Sequence, residues 1–240
     1  MLSQVQHDRV VSSPIARLFI GSLLTVIGSL FISSCEREIV TGDTRIATNG
    51  YEIRGFVLDR LGNPMPNVEV RVDYDLSLED TGNPPDVSYT VSAPFEAIQV
   101  QIHTLSGVLY RSYPTIAAEP GSFLFTWDKL SASGSRATSG VYFVSYVKGG
   151  TQVLRYPVLV QDNTVTVTDS VGRYTVGNEY LPIDFYPVAR YSGDGTRFFG
   201  NYRVSDQVYL TFQPLGPISS IFRSVRVIRD RVVEFDVRYN

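Results

Sequence analysis

The sequence predicts an all-β protein built from two β-sandwiches, one inserted into the other, after an apolar N-terminal helix. From residue 51 to the end, apolar and polar residues alternate with a period of two, and almost no stretch has apolar residues at helical spacing. The alternating runs are Val68/Val70/Val72/Tyr74, Ile98/Val100/Ile102, Val165/Val167 and Val233/Phe235/Val237/Tyr239. Turn dipeptides separate them, among them Gly62-Asn63, Ser106-Gly107 and Gly149-Gly150. Short strands joined by such turns are typical of β-sandwiches.

The first 34 residues have the organisation of a signal-peptide helix. An uncharged apolar run, residues 18–31, follows Arg9 and Arg17 and is shorter than the roughly 20 apolar residues that a helix needs to cross a bilayer. Directly after it come Ile32, Ser33, Ser34 and Cys35, the only cysteine of the chain. These four residues resemble the lipobox of bacterial lipoproteins. The alternative is an uncleaved transmembrane anchor with an incidental cysteine.

The lipobox resemblance implies cleavage before Cys35 and acylation of its thiol, and therefore a protein held at the cell envelope by lipid. Glu36 stands where an aspartate would, by resemblance to enterobacterial sorting rules, favour the inner membrane. We therefore expect the outer membrane and leave the periplasmic or surface face open. Residues 35–49 are polar and without apolar periodicity, so they are expected to be a flexible tether.

Composition argues against nucleic-acid binding and against disulfide bonds. The formal net charge of the 240 residues is -3, and the only lysines are Lys129 and Lys148. This balance argues against nucleic acid, because binding to phosphates needs clustered basic side chains. With the sole thiol acylated, the mature chain would have no disulfide bond. Its stability must then come from packing.

No motif for catalysis or metal binding emerges from the sequence. His103 is the only histidine after the signal peptide, which excludes a zinc site with two histidines, and no Gly-x-Ser-x-Gly elbow is present. His103 continues the polar face of Gln99 and Gln101, so a solvated strand position is expected. Residues 73–80 and 192–196 are rich in aspartate or glycine, but neither has the spacing of a calcium loop. We predict a protein that is not an enzyme and has no cofactor or metal.

Two segments of the chain resemble the halves of one known domain. The first contains Gly55-Phe56-Val57-Leu58-Asp59 and then Gly62-Asn63-Pro64-Met65-Pro66, and it resembles the opening half of a carboxypeptidase regulatory-like domain. That family has a transthyretin-like β-sandwich. The second half does not follow directly. It returns only at Thr168-Asp169-Ser170-Val171-Gly172-Arg173-Tyr174, and alternating residues near 208–212, 225–228 and 232–239 are expected to complete the sandwich.

The intervening residues 94–160 resemble a different module. Its landmarks are Ile98-Gln99-Val100-Gln101-Ile102, Leu105-Ser106-Gly107, Trp127-Asp128 and Ala137-Thr138-Ser139-Gly140-Val141. They are similar to the immunoglobulin-like domain of the flagellar hook-cap protein family and to the related type IX secretion sorting domains. Sorting domains lie at the extreme C-terminus, whereas here a long segment follows. We therefore reject a secretion-signal role.

The resemblances divide the chain as follows: signal peptide 1–34, tether 35–49, a discontinuous carboxypeptidase regulatory-like sandwich at 50–80 and 162–240, and an inserted immunoglobulin-type sandwich at 85–161. Residues 161–163 would be the return linker. Two domains in tandem are the alternative. That arrangement would leave residues 51–80 as a separate unit too small to bury a core.

Aromatic residues supply the candidate binding sites. A dense group lies in an irregular segment and is predicted either to fill the core or to bind a partner: Phe185, Tyr186, Tyr191, Phe198, Phe199 and Tyr202. Trp127, on a predicted strand, is expected to anchor the core of the inserted module, with sugar stacking as the alternative. The function predicted is a non-catalytic binding or structural module for protein or glycan. The alternatives are a subunit of an envelope secretion or motility assembly and an accessory protein of an envelope hydrolase.

Overall fold

The computed structural model describes residues 50–192 and 196–239, and within them the protein is all-β, which confirms the predicted fold class. The regular structure there consists of sixteen strands and one 3-10 turn, Asn178–Tyr180. The signal-peptide helix, the lipobox, Cys35 and the tether lie outside the described residues. No helix in the described ranges is long and apolar enough to span a bilayer.

The strands fall into two groups along the chain. The first strands are β1 (Tyr51–Leu58) and β2 (Glu69–Asp80). Next come β3 (Ser88–Val91), β4 (Glu96–Thr104), β5 (Leu109–Ser112), β6 (Ile116–Ala118), β7 (Gly121–Leu124), β8 (Gly140–Lys148) and β9 (Thr151–Val160). The remainder are β10 (Asn163–Val167), β11 (Arg173–Val176), β12 (Val188–Tyr191), β13 (Phe198–Gln213), β14 (Ile221–Arg226), β15 (Arg231–Glu234) and β16 (Val237–Arg238).

Strands from both ends of the described chain pair in the same sheets. β1 pairs antiparallel with β11 and parallel with β15 and β16. The second sheet has the order β10-β2-β13, and β12 and β14 share the other edge of the long strand β13. The two sheets enclose one hydrophobic core, in which Val57, Val70 and Phe212 are fully buried. We call this unit, formed by β1, β2 and β10–β16, the host sandwich.

The strands between β2 and β10 form a second unit with its own core. Its larger sheet has the order β5-β4-β8-β9, with β6 also paired to β4, and a smaller sheet consists of β3 and β7. The core contains Ile98, Val100, Trp127, Val144 and Tyr146. Each fully buried aliphatic side chain stabilises such a core by about 1.5–3 kcal/mol. We call this unit, formed by β3–β9, the guest sandwich.

The alternation in the sequence explains which side chains enter these cores, with one exception. Val70, Val72 and Tyr74 of β2 are buried while the intervening polar residues are partly exposed, because successive strand side chains face opposite sides. The pair Val165 and Val167 does not follow the rule. Val165 is buried but Val167 is exposed, since the pairing of β10 with β2 shifts register between Thr164 and Thr166.

The chain returns to the host sandwich through a hydrogen-bonded joint. The buried hydroxyl of Ser139 donates to the main-chain oxygen of Val72, 2.6 Å away, and accepts the N–H of Asn163 at 2.8 Å. The Asn163 side chain donates to the Ala137 oxygen at 2.9 Å, and Gln161 Nε2 donates to Asp73 Oδ1 at 2.9 Å. The return linker is therefore tied to both sandwiches by main-chain and side-chain bonds.

Ser139→Ala is expected to destabilise this joint. Removal of the buried hydroxyl leaves the partly buried Asn163 N–H without its acceptor, which costs about 1–3 kcal/mol. Urea unfolding followed by circular dichroism should show the loss, and the exposed Ser122→Ala should not. Equal midpoints for the wild type and Ser139→Ala would contradict this role of the hydroxyl.

An acid-sensitive pair closes one end of the guest sandwich. The buried carboxylate of Glu96 pairs with Lys148 and accepts a hydrogen bond from the Tyr89 hydroxyl at 3.0 Å. The hydrogen bond from Lys148, followed by those from Tyr89 and two main-chain N–H groups, holds the pKa of Glu96 below its ordinary value of 4.5. A carboxyl group whose pKa is lower in the folded than in the unfolded protein stabilises the fold at pH values above its unfolded pKa. This stabilisation is lost as the pH falls through its folded pKa.

The guest sandwich should therefore lose stability as pH falls below about 4.5, and Glu96→Gln should flatten this dependence. Trp127 is the only tryptophan and lies in the guest core, so its fluorescence in urea reports the transition. Glu119→Gln, at an exposed position of the same sandwich, should keep the wild-type profile. A profile for Glu96→Gln that matches the wild type would refute the assignment.

Candidate functional site

A cleft of about 350 Å³ lies where the guest sandwich meets the host sandwich. The guest strand β9 contributes Tyr156, Pro157, Val158 and Leu159, and the host strand β12 contributes Val188, Ala189, Arg190 and Tyr191. The remaining lining residues are Leu76, Pro85, Val87, Gln161, Phe185 and Pro187. The cleft thus takes lining residues from a strand of each sandwich, from β2 and the segment before β12 in the host, and from the connections between the two sandwiches.

The lining is mainly apolar and has little capacity for acid–base chemistry. Arg190 is the only charged side chain among the described residues that line it. The amide of Gln161 is already engaged with Asp73. Burial raises the pKa of both Tyr156 and Tyr191, so these phenols stay protonated at neutral pH. What the arrangement offers a ligand is apolar surface, one cation and main-chain hydrogen-bonding groups.

Aromatic contacts fix the geometry of the cleft. The ring of Phe185, in the host sandwich, meets the ring of Phe143, in β8 of the guest, edge to face at 6.1 Å. The guanidinium of Arg155 lies 3.8 Å from the centre of the same Phe143 ring. Pro157, directly opposite Phe143 in the ladder of β8 and β9, lines the cleft. The contact of Phe143 with Phe185 therefore joins the two sandwiches next to the cleft.

Two of the six aromatic residues predicted from the sequence line the cleft. Phe185 is half-buried and also packs against the host core. Tyr191 is partly exposed at the rim, and its ring lies 5.4 Å from that of Phe198. Tyr202 does not line the cleft, but its ring lies 5.5 Å from the guanidinium of Arg190, which does. Part of the aromatic segment therefore lines the cleft, and Phe198 and Tyr202 lie beside lining residues.

The other members of the group lie outside the cleft. Tyr186 points towards Asp80, to which its hydroxyl donates a hydrogen bond, and the guanidinium of Arg203 lies 5.3 Å from its ring. The hydrogen bond to Asp80 raises the pKa of Tyr186 and lowers that of the carboxyl. Phe199 is exposed, with the guanidinium of Arg197 5.5 Å from its ring. The structure thus divides the predicted group between the cleft and the surface beside it.

The two other residues singled out in the sequence, His103 and Trp127, have ordinary structural roles. His103 lies on the β4 face of Gln99 and Gln101, where burial first and the charge of Arg155 second lower its pKa. Trp127 is buried, packs against Tyr142 at 5.0 Å and donates from Nε1 to the Leu130 oxygen. It follows β7 and is not in a strand, so its predicted strand position was wrong.

Two of the aspartates considered for calcium, Asp73 and Asp80, accept hydrogen bonds from protein donors. Asp73 accepts from Gln161, and Asp80 accepts from Tyr186, Asn201 and the N–H of Gly82. Within residues 50–192 and 196–239, no group of three or more His, Cys, Asp or Glu side chains is arranged to hold a metal ion. The centre of the segment 192–196 lies outside the described residues.

Sequence reasoning missed the guest wall of the cleft. The sequence predicts Pro85, Val87 and Tyr156–Leu159 in the inserted sandwich and Leu76 in the surrounding one, and it assigns none of them to a site. The signal that was present is Pro157, because proline within an alternating run indicates an edge strand. That edge becomes a wall of the cleft only when the return of the chain sets it against β12.

Comparison of the chain with family models, with curated proteins and with solved structures finds no match in any of the three. The resemblances to a lipobox, to a carboxypeptidase regulatory-like domain and to a hook-cap-type module therefore stay predictions.

Proposed function

We propose that this chain is a lipid-anchored protein of the cell envelope that acts as a non-catalytic binding module and holds a protein or glycan partner in the cleft. The observation that carries the proposal is the cleft itself. A concave, mainly apolar site with a few polar groups is the usual form of a binding site in a folded protein.

The position of the cleft supports a recognition role. Its two walls belong to different sandwiches, and the joint beneath them is fixed by the bonds of Ser139 and by the contact of Phe143 with Phe185. A site held in one geometry loses less conformational entropy when a partner binds. The partly exposed aromatic side chain of Tyr191, which lines the cleft, adds to the surface that a partner would bury.

The direct test is site-specific photo-crosslinking in cells that express the full chain. Benzoylphenylalanine replaces Tyr191 at the rim of the cleft or, as the matched control, the exposed Phe222 of β14. Both positions are aromatic and partly exposed, so a difference between them reports location. We expect a discrete adduct from position 191 only. No adduct at 191, or the same adduct at both positions, would contradict a binding role of the cleft.

The anchoring part of the proposal depends on Cys35. Cys35→Ser should release the protein into the soluble fraction or leave it as an uncleaved precursor, because a thioether to diacylglycerol cannot form on serine. Membrane fractionation and intact-mass analysis give both readouts. Ser34→Ala keeps the thiol and the small-residue pattern and should process as the wild type does. Normal cleavage and membrane attachment of Cys35→Ser would refute the lipoprotein assignment.

A further inference from the structure

The walls of the cleft are the edges of strands and not their faces. β9 contributes the four consecutive residues Tyr156–Leu159, and β12 contributes the four consecutive residues Val188–Tyr191. Successive side chains of a strand point to opposite faces, so a wall that includes both parities must run along the strand edge. The other edge of β9 is bound to β8, and the other edge of β12 is bound to β13.

Both edges that face the cleft lack a partner strand within the described part of the chain. β9 pairs with β8 alone, and β12 pairs with β13 alone. The Cα atoms of β9 and β12 approach within 8 Å. Paired strands lie about 4.8 Å apart, so a strand paired to both edges would need them about twice that distance apart. Since β9 and β12 approach more closely than this, an occupant can pair with only one edge and must pack against the other.

The sequence distinguishes the two edges. β9 has Pro157 at its centre, and proline is tolerated in a strand when its nitrogen, which has no hydrogen, faces away from the partner. The free edge of β9 therefore lacks a hydrogen-bond donor at its centre, which disfavours the addition of a strand there. β12 has no proline within Val188–Tyr191, so the main-chain N–H and C=O groups that point to its free edge can pair with an added strand. The edge that can accept a strand is that of β12.

The chemistry of the lining limits what this strand can be. Leu76, Val87 and Phe185 offer apolar surface to every second side chain of an extended peptide. Arg190 is the only charged residue among the lining residues, and it favours a carboxylate on the occupant. We infer that the cleft takes an extended polypeptide segment, acidic and with alternating apolar residues, which adds to β12 as a further strand. The inference rests on the proposed function and specifies its partner.

Peptide selection on the full chain in detergent micelles supplies the probe. A random twelve-residue peptide library displayed on phage is enriched on the wild type, and the selected peptides are measured by fluorescence polarisation. We expect alternating apolar residues with at least one Asp or Glu, and Arg190→Glu should weaken binding about tenfold or more. Arg60→Glu, at an exposed turn of the host sandwich, should change the affinity less than twofold. Peptides that bind both variants equally would overturn the inference.

Main-chain pairing is tested separately from side-chain contact. A strand that pairs through one edge uses every second amide, so N-methylation of one parity of a selected peptide should abolish binding while the other parity is tolerated. Hydrogen exchange of residues 188–191 should slow when the unmodified peptide binds. Tolerance of both methylated forms, or unchanged exchange in β12, would overturn strand addition. A specific crosslink at position 191 to a glycan or to a folded surface would also overturn it, while the proposed binding role would stand.

Discussion

Gly55→Val is expected to unfold the host sandwich. Gly55 is buried in β1, and a Cβ atom there would lie 2.0 Å from the main-chain oxygen of Phe235 and 2.5 Å from its carbonyl carbon. These atoms belong to backbone that is already fixed, because the Phe235 N–H bonds to the Arg54 oxygen and its oxygen accepts the hydroxyl of Tyr174. Relief of the clash requires β1 to separate from the end of the chain. The loss should be about 3 kcal/mol or more.

Gly177→Ala is the matched control for Gly55→Val. Gly177 also has a negative φ, of -83°, but its added Cβ would meet only the flexible carboxylate of Glu179. Hydrogen exchange of peptides from β1 and β11 measures the host sandwich, and the fluorescence of Trp127 measures the guest sandwich. Fast exchange in Gly55→Val with slow exchange in Gly177→Ala is expected. Full protection of β1 in Gly55→Val would contradict the close approach.

Tyr146→Ala is expected to cost the guest sandwich about 3–5 kcal/mol, as for other large aromatic truncations in a core. The side chain is fully buried, and its ring packs edge to face on Phe123 at 5.2 Å and on Tyr156 at 5.9 Å. Its hydroxyl accepts the N–H of Phe125 at 2.9 Å and donates to the Val87 oxygen at 3.0 Å. One side chain therefore fills the core and ties down the segment that enters the guest sandwich.

Tyr146→Phe separates these two contributions. The ring is kept, but the Phe125 N–H and the Val87 oxygen lose their partner, which should cost about 1–3 kcal/mol. Urea unfolding followed by Trp127 fluorescence reports both variants. Tyr209→Phe, in β13 of the host sandwich, should leave the urea midpoint of this transition unchanged. A Tyr146→Phe variant as stable as the wild type would show that the hydroxyl bonds contribute nothing net.

Local alternation predicted some strands correctly and missed others. The runs in β2 and β4 have the expected buried faces. The run at 232–239 was expected to form one strand but forms two, β15 and β16, which both pair with β1. Phe235 and its neighbour lie between them, where the Phe235 oxygen accepts the Tyr174 hydroxyl. This hydrogen bond joins residues far apart in the sequence, so local alternation did not reveal the break between the two strands.

The segment around the cleft was the least predictable. Alternation suggested a strand only at 208–212, whereas β13 spans Phe198–Gln213. Its first part forms a strand because β12 and β2 pair on its two sides. Gly200 permits this with a φ of +141°, and a Cβ there would lie 2.7 Å from the Asp80 oxygen. Such a requirement is invisible until the partner backbone is in place.

The sequence by itself determined the fold class, the buried face of the regular strands and the prediction of a lipid anchor at Cys35, because each depends on residues that are neighbours along the chain. The tertiary structure alone decided that β9 and β12 lie side by side with free edges, and therefore that Pro157, Arg190 and Tyr191 share one cleft. Residues far apart in sequence meet there only after two hydrophobic cores have formed, and no local periodicity encodes that encounter.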